Sequence, residues 1–280
     1  MTLFFLQLGG ELRKLFARKR TYIGFGAFLA VELMVLILFQ RPKVQGWFRG
    51  MIERAGYGFE QYFSGLTLAF LILTATFLLT MLYLALVGGD IVSKEVEDGI
   101  MRMVLCRPVS RVRILLIKYC ACVVYTFALI FFIGTSALLV GILQRGAGGL
   151  FVFAPEQKIF ALYDWNEGLW RFYAGVFFYA TSFLSITTLG FALSCCNMKP
   201  AAATIVTLSV FVVDWIFHHL PYFESIKDWF ITKNMASWAN IFQGSVPVMA
   251  MVEDYAYLLG IDGTLVVLGI LVFQSRDFKS

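Results

Sequence analysis

Apolar residues gather in six runs along the chain, near 21–39, 64–87, 114–143, 172–195, 201–217 and 255–273. Each is close to the roughly 20 residues a helix needs to cross about 30 Å of hydrocarbon while pairing all its own backbone polar groups. The pattern predicts an all-α polytopic membrane protein of six spans forming a single transmembrane domain over 1–280. Two further stretches carry the helical period at lower hydrophobicity. Phe5, Leu8, Leu12, Leu15 and Phe16 recur at helical spacing, with Glu11, Lys14 and Arg18 on other faces. Residues 1–20 are therefore read as an interfacial helix rather than a cleavable signal, since the basic block follows the first apolar residues.

Between the second and third spans, Val92, Val96, Ile100, Met103 and Val104 recur at steps of four or three opposite Lys94, Glu97, Asp98 and Arg102. This predicts one amphipathic helix at the membrane surface within 88–113, stopped by Pro108, with Ser110 capping the helix of the third span. Residues 219–252 are too polar to span yet rich in Trp, Phe and Met. They are expected to form short helices lying at, or re-entering, the outer interface. Residues 144–170 read as a flexible turn followed by an aromatic interfacial stretch.

Composition sharpens this picture. Of 280 residues, 60% are hydrophobic and 15% charged, against about 25% charged in an average soluble domain, so the apolar excess must face lipid. Lys and Arg cluster before the first span (Arg13, Lys14, Arg18, Lys19, Arg20) and in the loop before the third, which puts both termini and residues 88–113 on the cytoplasmic side. Arg41, Lys43, Arg49 and Arg54 oppose that bias on the outer side. All five cysteines then fall in or near the reducing compartment. The net charge of +5 speaks of membrane orientation and not of nucleic acid.

The loop also carries a resemblance. Glu95, Glu97, Gly99, Leu105, Pro108, Val109, Ser110, Arg111, Ile114 and Lys118 match the E-x-E-x-G…P-V-S-R-x-x-I-L-x-x-K run of the ABC-2 type permeases, with Ile100 where Thr is usual. The ending FQSRDFKS resembles that family's aromatic–basic–Asp close. The resemblance implies the membrane subunit of an ATP-binding cassette exporter in a bacterial-type plasma (inner) membrane. Such a subunit pairs with a second permease, as a homo- or heterodimer, and rests on a separately encoded cassette ATPase that binds ATP and Mg. On that reading Glu95, Glu97 and Arg111 set the register on the ATPase, Val96, Ile100 and Val104 fill its groove or hold the helix to the membrane, and Gly99, Pro108 and Ser110 shape the coupling segment. The chain has no G-x-x-x-x-G-K-[ST] and no Gly-Lys pair, so it is not expected to hydrolyse ATP itself or to hold a cofactor.

Three carboxylates fall within spans, where an ionised group is costly. Glu32, nearest mid-span, is either a hydrogen-bonded acid at a helix seam or a group on a substrate or proton path. Asp214 is expected to pair locally with His218, and Asp262 to pack at a helix or subunit interface. The adjacent His218 and His219, and cysteines without C-x-x-C spacing, give no metal site, and no catalytic motif supports an intramembrane enzyme. Hydroxyls in the second span (Thr67, Thr74, Thr76, Thr80) and the fourth (Thr181, Ser182, Ser185, Thr187, Thr188) suit a lipidic or amphipathic cargo, or serve as helix–helix glue. A membrane anchor or sensor that recruits a cassette ATPase without transporting is the alternative.

Overall fold

The computed structural model describes residues 2–106, 109–157 and 159–276. Its elements run α1 (Thr2–Ala17), α2 (Lys19–Phe39), α3 (Pro42–Arg54), α4 (Phe59–Tyr62), α5 (Gly65–Ala75), α6 (Phe77–Asp90), α7 (Ser93–Glu97), α8 (Ile100–Leu105) and α9 (Arg111–Arg145). A hairpin of β1 (Leu150–Ala154) and β2 (Ile159–Tyr163) follows, then α10 (Trp165–Cys195), α11 (Pro200–His219), α12 (Ile231–Met235) and α13 (Val248–Ser275). Six helices are long and apolar enough to cross a membrane, and α9 packs against α1, α2, α5, α6, α10 and α13. The α2, α11 and α13 helices sit at the margin, with most of their apolar surface open.

The second span differs from the expected 64–87. It divides at Thr76 into α5 and α6, and its long apolar helix runs Phe77–Glu97, α6 leading almost without a break into α7. Thr76 Oγ1 donates to Ile72 and Leu73 carbonyls, Thr74 Oγ1 to Leu71 and Thr80 Oγ1 to Thr76. Hydroxyls bonded back onto the preceding turn bend a helix without breaking its ladder, and the Thr76 and Thr80 amides still reach the carbonyls four residues back. The fourth and sixth spans begin at Trp165 and Val248, about a turn or two before their apolar runs, because the helices continue through polar residues at the interface.

The stretch 144–170 departs from its reading as well. Positive-φ Gly146 ends α9, and the segment then forms an antiparallel hairpin with Leu150 opposite Tyr163 and Ala154 opposite Ile159. Two five-residue apolar runs around Pro155-Glu156-Gln157-Lys158 are a hairpin signal that the aromatic content obscured. Thr67 anchors it by accepting from the Phe151 amide at 2.8 Å and donating to Tyr62 O.

Residues 219–252 form 3-10 turns at Pro221–Trp229 and Ala236–Phe242 on either side of α12, and 248–252 belong to α13. The first turn buries no residue and only Phe223 is half-buried, whereas the second buries Trp238 and Phe242 against Phe70 and Tyr179. Arg171 ties the second turn to α10 by donating to the Ile241 and Gln243 carbonyls.

At the other end of the bundle α6 seats directly on its neighbours. A Cβ at Gly88 would lie 2.5 Å from Thr187 O, and one at Gly89 2.7 Å from Thr204 Oγ1. Only hydrogen fits at either contact, so α6 meets α10 and α11 backbone to backbone, in the manner of small-residue seams in membranes.

Candidate functional site

The loop between the second and third spans is two short helices rather than one. After α7 the Asp98 amide bonds Lys94 O and the Gly99 amide bonds Val96 O, and Gly99 has φ +73°. This is a left-handed helix end, which glycine adopts without steric cost. Nothing lies within 4 Å of where a Cβ would sit, so the backbone conformation alone asks for glycine. The break resets the helical phase. Val92 and Met101 face the interior, while Ile100 and Met103 are exposed beside Glu97 and Asp98. Val96 and Val104 are half-buried.

Glu95 lies inside the fold, 4% exposed, and is not on the rim where a register-setting residue would meet a partner. Its carboxylate is 2.8 Å from Lys118 Nζ and 3.7 Å from Lys14 Nζ. Lys118 in turn donates to Glu11 at 3.0 Å, and Lys14 to Glu11 at 2.6 Å. Two acids and two bases from α1, α7 and α9 thus form a neutral quartet, the arrangement that makes buried charge tolerable. Glu11, expected on a polar outer face, is turned inward by it. Burial on its own would raise the Glu11 pKa, but the ammonium groups of Lys118 and Lys14 outweigh it and hold the carboxyl below its usual 4.5. For Lys14 burial acts downward, and the two glutamates reverse it to above 10.5. The sequence signal for this quartet is a lone lysine two turns into an apolar span, which requires a carboxylate partner.

The remaining loop residues close helix ends. Ser110 Oγ accepts from the Arg113 amide and caps α9. Arg111 donates to the Gln274 and Arg276 carbonyls at the end of α13, and Arg276 donates to Cys195 O and Asn197 Oδ1 at the end of α10. Lys94 bridges Glu97 at 3.1 Å and Asp98 at 3.3 Å. Pro108 lies outside the described residues, as does the part of the family-like ending after Arg276.

The three intramembrane acids are not brought together. Glu32 is fully buried between α2 and α9 and accepts from Ser136 Oγ at 2.7 Å. Asp214 accepts from the Ile231 and Thr232 amides and Thr232 Oγ1, at 3.2, 2.7 and 2.7 Å. It therefore caps α12 across the chain, a role that the expected local pairing with His218 did not include. Asp262, 3% exposed, lies on the α13 seam facing Ser185 of α10, with neither oxygen hydrogen-bonded. Of the span hydroxyls, Thr187 pairs with Thr126, Thr188 with Tyr119 and Ser182 with Tyr255 across helices, whereas Thr74, Thr76, Thr80 and Thr181 bond back onto their own helices. Among the described residues no group of three or more His, Cys, Asp or Glu is placed to hold a metal.

Two cavities adjoin at the hairpin end. One, of about 900 Å³, is lined by polar groups including Lys233, Asn234, Asp254 and Tyr257. The other, of about 350 Å³, has aromatic walls including Phe70, Phe77, Tyr179 and Trp238. They share Gln157, His218, His219 and Ala236, so a polar cavity adjoins an apolar one.

These features define a predominantly helical, multi-pass membrane protein with a surface loop locked to its spans. Residues 33–278 match the DUF2705 family, described as a protein of unknown function, and the chain belongs to that family. No curated protein matches it.

Proposed function

We propose that this chain is the permease subunit of an ATP-binding cassette exporter. It is no enzyme in its own right; it moves a lipidic or amphipathic substrate while a separate subunit hydrolyses ATP. The observation that carries this reading is the way the loop is built. Its outer edge, Glu97, Asp98, Ile100 and Met103, is exposed, whereas its inner edge is clamped through Glu95 to Lys118 of the third span, which also holds Glu11 of the interfacial helix. A push on the outer edge therefore reaches two membrane elements through short ionic contacts rather than through a slack connector. Apolar side chains flanked by acids suit a groove rimmed with basic residues on the partner. The paired polar and aromatic cavities at the far end match a cargo with a polar head and an apolar body. The loop, both termini and Cys106 are cytoplasmic on this reading, and the membrane is a bacterial-type inner membrane.

The test is co-purification. The full chain expressed with its cognate cassette ATPase should be isolated as a complex containing two permease copies or a permease pair. Glu97→Lys with Ile100→Asp should abolish the complex while leaving the monomer folded, and the chain alone should hydrolyse no ATP. Hydrolysis by the isolated chain, or a complex unaffected by the double substitution, would overturn the proposal. In sealed cells an impermeant thiol reagent should reach the exposed Cys106 only after permeabilisation.

A further inference from the structure

A cavity of about 430 Å³ opens at the elbow between α1 and α2, walled by Lys14, Arg18 and Lys19 on one side and Lys94, Glu95, Asp98 and Ile100 of the loop on the other. Its charges are not balanced. Glu95 is held by Lys118 at 2.8 Å and Asp98 by Lys94 at 3.3 Å, while Lys14 and Lys94 have their own acids at 2.6 and 3.1 Å. Arg18 and Lys19 form no ion pair among the described residues. Two cations that form no ion pair among the described residues therefore share the wall of one cavity, with Asp90 facing Arg18 from the neighbouring recess, an arrangement that attracts a compact anion.

The position of the cavity narrows the anion. The apolar stretch that enters the membrane begins at Thr21, two residues after Lys19. The next residues, Tyr22 and Ile23, are 68% and 71% exposed on the outside of the bundle. The cavity thus stands at the boundary between head groups and hydrocarbon, with an apolar face beside it on which an acyl chain can lie. An arginine fork suits phosphate oxygens, and basic pockets at this depth are where phospholipid head groups settle.

We propose that the elbow cavity binds a phosphate group between Arg18 and Lys19, supplied either by the head group of an anionic phospholipid or by free phosphate. Occupancy brings the elbow and Lys94 of α7 to a common anion and braces the loop against the first span. The site is independent of any ATPase.

Native mass spectrometry of the full chain, released from detergent with added phosphatidylglycerol or phosphatidylcholine, tests this directly. One phosphatidylglycerol per chain should be retained under activation that strips phosphatidylcholine. The Arg18→Gln/Lys19→Gln variant should lose that preference at least tenfold, and Arg18→Lys should keep it. Because neither side chain makes an internal ion pair, the double variant should unfold at the wild-type temperature in lipid-free detergent, which separates lost binding from lost folding. In a second arm, millimolar inorganic phosphate without lipid should raise the unfolding temperature of wild type but not of the variant if the source is soluble. Retention of lipid that phosphate does not displace assigns the head group. Equal retention of both lipids, or of phosphatidylglycerol by wild type and double variant, together with no response to phosphate, would overturn the proposal.

Discussion

Lys118 of α9 holds the Glu95 carboxylate of α7 at 2.8 Å, with neither side chain more than 5% exposed. The contact joins the loop to the third span where water cannot substitute for either partner. Removing one member leaves the other as an uncompensated buried charge, which costs about 3–5 kcal/mol. Lys118→Met should accordingly lower the unfolding temperature in micelles sharply. Adding Glu95→Met should restore most of the loss, since Glu11 and Lys14 then remain as a neutral pair. A double variant no better than the single would show that the two residues act separately.

Acid should weaken the same junction through Glu11. Its folded pKa lies below 4.5 because the attraction of Lys118 and Lys14 exceeds the opposing effect of burial. A depressed carboxyl pKa contributes stability that is complete above the unfolded value and is lost as pH falls through the folded one. Thermal unfolding followed from pH 7 down to pH 3 should show a decline that begins below about 4.5, and Glu11→Gln should flatten it while lowering the plateau. Lys14 gives the mirror case: its contribution is present below 10.5 and fades as pH rises through its raised folded value.

Gly99 tests backbone conformation in isolation. With φ at +73° and open space around it, Gly99→Ala should cost about 1–2 kcal/mol locally through the left-handed penalty alone. Gly99→Asn should cost less, because Asn visits that region more readily. The effect should appear as faster hydrogen exchange over residues 93–105 and weaker capture of the proposed ATPase partner, with the spans unchanged.

Asp214 makes three contacts at the start of α12. Asp214→Ala should cost about 1 kcal/mol, as the loss of a helix cap does, and should raise exchange across 221–242. Asp214→Asn, which keeps an acceptor, should fall between. Unchanged exchange in the alanine variant would remove Asp214 from that role.

Hydrophobicity was enough to place the spans, because lipid leaves the backbone few alternatives. The first, third and fifth needed little adjustment at their ends, while the long apolar helix of the second lies at Phe77–Glu97 and not at 64–87. What escaped the pattern were features set by single atoms. The bend at Thr76 depends on hydroxyls turning back onto carbonyls, and the phase reset at Gly99 on one positive φ. A periodic template carried straight through Gly99 puts Ile100 on the wrong face. The candidate site was legible as a set of positions but not as roles. Glu95 and Lys118 stand in the family-like run, yet their pairing, and its extension to Glu11 about a hundred residues away, exist only in three dimensions. Asp214 likewise found a partner in α12 that no local spacing announces.

With 35 residues and 1.5 Å per residue, α9 is a rod of roughly 50 Å. Near one end it carries Lys118, and from the other it launches the hairpin that borders the polar and aromatic cavities. A rod of that length amplifies angle into displacement: a tilt of about 5° at the lysine end swings the hairpin end by roughly 4 Å. Movements too small to disturb the ionic quartet are thus large enough to shift the residues that wall the two cavities at the hairpin end.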